Sequence, residues 1–371
     1  MINSGIYIHI PFCEKKCNYC NFFSIQKNDE LIDNYVNELC REISSIGKKQ
    51  NEKILVDTIY LGGGTPSLLG PKNFDLIINS INNNYVISNA AEITVEVNPN
   101  SAQYIEDYKK SGANRLSVGT QSINDDILKK LGRLHTANEA ISTLRRASKT
   151  YDNVSTDIIL GCDENQNVKD EFLTVFEYVK HISAYILTVE ENTPIYKQIN
   201  RNSVSIATED TVISQYEEFN KIASKYNFLR YETSNYCLPT YESKHNSRYW
   251  DLSNYLGFGA GAHSYFEGLR YYNESNVTSY LKGEHSGNDN RIIEREVSLE
   301  EDKYEFVMLS LRTAKGIDVS KYIQKFNSDV RIDFEKGFKK AEEYLNITSN
   351  YISIQPQFFL LQNAIERLIL L

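Results

Sequence analysis

The sequence predicts an α/β protein built from repeated βα units around a parallel sheet and followed by a smaller domain. Three observations predict it. Short β-branched or apolar runs alternate with helical patterns along residues 5–189, the mark of βα units rather than of an antiparallel meander. A chain of 371 residues, 41% hydrophobic and 24% charged, can bury a full core and suits one large domain with a small companion. Beyond about residue 290 the composition shifts, opening on Glu294-Arg295-Glu296 and Glu300-Glu301-Asp302.

In chain order, the strands are expected at residues 5–10, 54–61, 93–97, 115–119, 154–160 and 182–189. Between the first two, Ile32, Tyr35, Val36, Leu39, Ile43 and Ile46 recur at helical spacing and mark the buried stripe of an amphipathic helix. Similar patterns cover 124–131, 136–150 and 167–181. Six units are too few for a closed eight-stranded barrel. The expected division is a core over 1–230, a segment over 231–290 that completes it, and a small domain over 291–371 whose first helix carries Phe306, Val307, Leu309 and Leu311. The apolar terminus Ile365–Leu371 reads as a packed end.

Charge and hydropathy remove several functions. A net charge of −9 with no basic stripe argues against nucleic acid, whose phosphates need clustered Lys and Arg. No apolar run approaches the roughly 18 residues of a membrane span, so no transmembrane segment is expected and any membrane contact would be peripheral. The chain is cysteine-poor and shows no secretory h-region, which gives a cytoplasmic address and argues against a disulfide scaffold.

Half of the six cysteines, Cys13, Cys17 and Cys20, fall within eight residues of the run YIHIPFCEKKCNYCNFFS. Three thiolates suit a 4Fe-4S cluster with one iron free of protein ligands, whereas an electron carrier closes its cluster with a fourth Cys. A zinc site is the alternative; it wants four closed ligands, and His9 could complete the set. Other chemistry follows the predicted strands. Leu61 leads into Gly62-Gly63-Gly64-Thr65-Pro66, where backbone without side chains can approach a ligand closely; a phosphate loop would also need a Lys and a helix start that are missing here. Glu96 ends the third strand in Val95-Glu96-Val97-Asn98-Pro99, Gln121 follows the fourth, Arg133 lies twelve residues on, and Asp157 sits in the fifth.

The C-x3-C-x2-C spacing with Tyr19 before the last Cys resembles the radical S-adenosylmethionine (SAM) superfamily. The lead-in Tyr7-Ile8-His9-Ile10-Pro11-Phe12-Cys13 resembles the branch that holds oxygen-independent coproporphyrinogen III oxidase and the HemW-type haem chaperones. LGGGTPS, EVNPN, GTQS, LGRLHT, HNSRYW and GAGAHSY then follow in that family's order to about residue 320. The resemblance implies an open, partial (β/α)6 barrel with a small, mainly helical C-terminal domain and an active site at the carboxyl ends of the strands. It implies a 4Fe-4S cluster on Cys13, Cys17 and Cys20, fed by an electron donor. It also implies a SAM site formed by Tyr7, Gly63, Gly64, Thr65, Glu96, Gln121, Arg133 and Asp157, with Arg133 on the SAM carboxylate and Gln121 and Asp157 at its ribose. A guanidinium matches a carboxylate bidentately.

Two departures separate this sequence from the oxidase pattern. Only twelve residues precede Cys13, where the oxidase has a longer extension that covers its substrate, and Asn21-Phe22 stands where the oxidase has another Cys two residues after the last cluster ligand. The segment His245-Asn246-Ser247-Arg248-Tyr249-Trp250 is an HNxxYW motif of the chaperone branch and contains the chain's one Trp. Haem is then an implied ligand, with haem-accepting proteins as partners. His245 is the candidate for the iron, since His is a common haem ligand; His263 in the GAGAHSY stretch ranks second. The expectation is therefore a haem chaperone, with coproporphyrinogen III oxidase, which decarboxylates propionates, as the alternative reading and a purely structural cluster as a third. Relatives continue from the Asp strand into Gly-Leu-Pro, but Gly161-Cys162-Asp163 stands here. A loop of different shape is expected there. Cys162, Cys40 and Cys237 read as structural.

Overall fold

The computed structural model describes residues 1–283, 291–296 and 298–371. All six expected strands form: β1 (Ile2–Ile10), β2 (Ile54–Gly63), β3 (Val86–Val97), β4 (Arg115–Gln121), β5 (Asn153–Leu160) and β6 (His181–Ile186). They lie side by side in chain order and in parallel. Among the described residues no strand pairing joins β6 to β1. Antiparallel Asn235–Cys237 lines up against β6, while Tyr255–Phe258 pairs in parallel with β1 and leads through His263–Phe266 and Leu269–Asn273 to Arg291–Glu296. The result is an open sheet of twelve described strands.

Alternation along each strand gives the sheet two chemically opposite faces. The outer face is apolar: Ile6, Ile8, Ile10, Ile59, Leu61, Val95, Leu116, Val118, Val154, Ile158 and Ile182 sit in one core. Helix Asp29–Lys49 packs there on Ile32, Tyr35, Val36, Leu39, Ile43 and Ile46, the predicted stripe, and starts at an Asn28 cap. Helix Ala137–Thr150 starts from a capping box of Thr136 and Glu139. The inner face carries Tyr7, His9, Thr58, Tyr60, Thr94, Glu96, Arg115, Ser117, Ser155, Asp157, His181 and Ser183. A closed barrel fills this space with branched aliphatics; here it is polar, which suits ligand chemistry rather than packing.

The pattern expected over 167–181 is shorter, because helix Val168–Val175 tightens into a 3-10 turn at Phe176–Tyr178 before β6 begins at His181. The last strand stops at Ile186 rather than 189, freeing the following residues to turn across the sheet's end. Residues 298–371 form helices around a three-stranded antiparallel sheet of Ile317–Asp318, Tyr351–Ile354 and Leu345–Ile347. Their core of Phe306, Val307, Leu311, Tyr322, Phe338, Ile352, Ile365 and Ile369 continues into Leu252, Tyr255 and Tyr265 of the preceding segment. The boundary expected at 290 falls on residues 284–290, which lie outside the described residues. No helix among the described residues is long and apolar enough to cross a membrane.

Candidate functional site

A cavity of about 480 Å³ opens at the carboxyl ends of β1 to β6. Its lining includes Cys13, Cys17, Cys20, Gly63, Gly64, Thr65, Glu96, Gln121, Arg133 and Asp157. Ten residues spread over about 145 positions of sequence thus converge on one space. Tyr7 does not reach it: this side chain lies deeper on the inner face, with its hydroxyl 3.0 Å from His9 Nδ1.

The cysteines sit on the loop after β1, held by Lys27 N donating to Cys13 O (2.8 Å) and Asn18 N to Leu131 O (2.9 Å). All three are free thiols and half-buried. His9 has Tyr7 at one ring nitrogen and Phe23 O at the other, 3.0 Å each, so neither is left for the zinc alternative. Among the described residues no three His, Cys, Asp or Glu groups converge on a single ion. A cluster does not ask for that, since each thiolate takes a separate iron.

The glycine run abuts this loop. Gly64 N donates to Ile10 O (2.8 Å), and a Cβ at Gly64 would stand 2.7 Å from Phe12 O, closer than atoms can pack. Gly63 has φ +107, and a Cβ there would meet the His9 ring at 2.6 Å. Thr65 donates to Cys13 Sγ at 3.6 Å and accepts from Asn98 Nδ2 at 3.1 Å. Arg133 donates to Asn98 Oδ1 (2.6 Å), Gly119 O (2.8 Å) and Cys17 Sγ (3.4 Å), while its Nε has no partner. Asn98 thus ties the glycine loop to the arginine. It stands two residues beyond Glu96, and strand alternation alone would have placed it on the cavity face.

Two carboxyls enter from below. Glu96 accepts from the Tyr60 hydroxyl at 2.7 Å, and burial lifts it to about 7. Burial also lifts Asp157 to about 6, against a hydrogen bond from Ser183. Gln121 turns into the cavity from a left-handed backbone, φ 67, at an irregular step in the β4 to β5 ladder. A non-glycine residue there is strained, and such strain gathers at functional sites. Phe22, Tyr185, Ile186 and Leu187 form an apolar rim, with Lys15 and Lys16 beside it. Soft thiolates, a buried guanidinium, recessed carboxyls and open backbone together fit a thiolate-held cluster and a ligand with a carboxylate and hydroxyls.

The loop lacking Gly-Leu-Pro is held by other means. Gly161 takes φ +79, its N–H donates to Gln215 Oε1 (2.9 Å), and Lys130 bridges Cys162 O and Asp163. Cys162 is fully buried against Ile127, Leu131 and Ile159, a structural place.

His245 lies elsewhere. It opens helix Lys244–Trp250, whose first N–H groups meet Glu92 and whose Arg248 pairs with Asp57. Thr58 and Glu92, its partners on the sheet, stand four residues before Gly62 and Glu96, about 13 Å back along the strands. The imidazole is fully buried, with Thr58 Oγ1 at Nδ1 (2.9 Å) and Tyr249 OH at Nε2 (3.0 Å), and it stacks on Tyr60 at 5.3 Å. Burial holds it neutral, at about 3. The expectation that His245 offers its imidazole to haem iron does not match this arrangement, because both ring nitrogens are occupied and the ring is sealed.

Residues 7–176 match the Radical SAM superfamily and residues 297–360 the HemN C-terminal domain. The heme chaperone HemW of Buchnera aphidicola subsp. Schizaphis graminum is 32% identical over 377 residues, covering 92% of this chain and 96% of that protein. The heme chaperone HemW of Lactococcus lactis subsp. lactis is 35% identical over 350 residues, covering 92% and 89%. In structure, the chain is similar to coproporphyrinogen III oxidase (HemN) from Escherichia coli, with a TM-score of 0.83 over 99% of this chain and 90% of that one. Their sequences are 18% identical, so this likeness shows the fold alone.

Proposed function

From the premise that the chain belongs to the radical SAM superfamily and, within it, to the HemW family, we propose that it is a haem chaperone, binding haem and passing it to acceptor proteins. The observation that carries this reading is the similarity to heme chaperones along 92% of the chain. The Asn21-Phe22 pair, where the oxidase has a further Cys, supports it against the decarboxylase.

Within that reading, Cys13, Cys17 and Cys20 hold a 4Fe-4S cluster and leave one iron to SAM. When bound, the two supply one-electron chemistry that no side chain can. The chain's own residues position and shelter. Gly63 and Gly64 open the backbone to the ligand's amino group beside Thr65. Arg133, already aimed by Asn98 and Gly119, takes the carboxylate, while Gln121 and Asp157 receive the ribose and Glu96 makes a further ligand contact. An electron donor would approach the rim that carries Lys15 and Lys16.

The test is a haem titration of the anaerobically reconstituted protein, followed at the Soret band, beside an assay for porphyrinogen decarboxylation. Stoichiometric haem binding without decarboxylation is expected; decarboxylation in place of haem retention would replace the reading with the oxidase. In the same preparations Cys13→Ala, Cys17→Ala and Cys20→Ala should each lose the brown cluster absorption, and full iron occupancy in all three would remove the cluster assignment.

A further inference from the structure

Ligation of haem iron by protein nitrogen needs an imidazole with a free ring nitrogen and room beside it. The chain has six histidines. His9 and His245 are hydrogen-bonded at both nitrogens. His135 and His181 are buried, the first on Thr120 O and the second on the Tyr231 hydroxyl. His285 lies outside the described residues. His263 alone among the described histidines is exposed, and neither of its ring nitrogens has a hydrogen-bond partner among the described residues.

Its setting is ordered. His263 opens strand His263–Phe266 directly after the turn of Gly259 and Gly261, both at positive φ. A Cβ at Gly261 would stand 3.0 Å from the Phe23 ring, so the turn rests on the residue three beyond Cys20. Across the ladder His263 pairs with Tyr272, and Tyr272 with Ile292. Cross-strand partners share a face, and strand spacing makes this row about 10 Å wide. The Tyr272 ring lies 5.1 Å from the imidazole at 21° and fixes its plane. Ile292 is 43% exposed, leaving apolar surface at the end of the row.

We propose that His263 is the axial ligand to haem iron, with Tyr272 orienting the imidazole and Ile292 lying against the macrocycle. This rests on the haem-binding reading above and moves its iron ligand from the HNxxYW helix to the sheet's open extension. The two histidines make opposite demands. His245 would have to surrender two hydrogen bonds and leave a sealed interior, whereas His263 coordinates as it stands.

The test uses the full-length, anaerobically reconstituted protein titrated with ferric haem and followed at the Soret band. His263→Ala should weaken binding at least tenfold and shift the band, with cluster iron unchanged. His263→Gly should regain the wild-type band when free imidazole is added. His245→Ala, checked as folded by circular dichroism, should keep the wild-type band position. Wild-type affinity and band position in His263→Ala would overturn the proposal while the chaperone reading stands. Loss of the band in folded His245→Ala, with His263→Ala unaffected, would return the ligand to the HNxxYW helix. If the wild type binds no haem, both the proposal and the reading fall.

Discussion

Arg133 makes three hydrogen bonds, to an amide oxygen, a carbonyl and a thiol, and still lines the cavity. A planar guanidinium can span those partners and present an edge to a carboxylate; an ammonium cannot. Arg133→Lys should therefore weaken SAM binding at least tenfold, about 1.4 kcal/mol, while iron content stays at the wild-type level. Equilibrium dialysis with labelled SAM measures it, and unchanged affinity would remove Arg133 from the ligand's carboxylate. The convergence of ten of the expected site residues on one cavity was legible, because each stands toward or after the end of a predicted strand; that of Tyr7 was not. Asn98 stands in the same EVNPN run as Glu96, and alternation gives the two the same face. The left-handed backbone of Gln121 was not legible, since it arises from a register shift between two strands rather than from local sequence.

The helix Lys244–Trp250 was plain as a motif, while its surroundings in the fold were not. Where it docks depends on long-range partners: Glu92 beneath its N-terminus, Asp57 on Arg248 and Thr58 on His245. None of these is near it in sequence. The docked helix plugs the polar interior, and the stack of Tyr7, Tyr60 and His245 continues it up to Glu96. His245→Ala removes a ring whose nitrogens satisfy two buried hydroxyls, so it should cost about 2–4 kcal/mol, the sum of a cavity and stranded polar groups. Tyr249→Phe removes one of those bonds and should cost about 1 kcal/mol. Denaturant midpoints at fixed slope report both, and a His245→Ala midpoint equal to the wild type would mean that the helix is not a plug. The six parallel strands were legible from alternation alone. Tyr255–Phe258, which adds to the sheet beside β1, was not, because four residues carry too little pattern to announce a strand.

On the scale of the whole molecule, the polar interior leaves titratable groups of both signs away from water, and their effects on stability oppose each other. Burial raises Glu96, Glu171 and Glu232 to about 7 and Asp157 to about 6. It lowers His9 and His181, and takes His135 to about 4 and His245 to about 3. For the carboxyls the folded chain keeps a proton that the unfolded chain has lost, so their contribution falls as pH rises from about 4.5 to 7. For the histidines the unfolded chain takes up a proton that the folded chain refuses, so their contribution falls as pH drops below about 6.5. Between about 4.5 and 6.5 the two slopes oppose each other. The cluster-free protein should therefore lose stability as pH rises above about 6.5, where the histidine contribution is complete and Glu96, Glu171 and Glu232 are still ionising. Glu96→Gln deletes one carboxyl contribution without touching the histidines. Its stability should gain on that of the wild type by about 1.4 kcal/mol per unit as pH rises from about 4.5 to 7. Denaturant midpoints of both proteins from pH 4.5 to 7 decide the matter: parallel curves would mean that Glu96 is already ionised in the folded chain, and that the interior is far wetter than its packing implies.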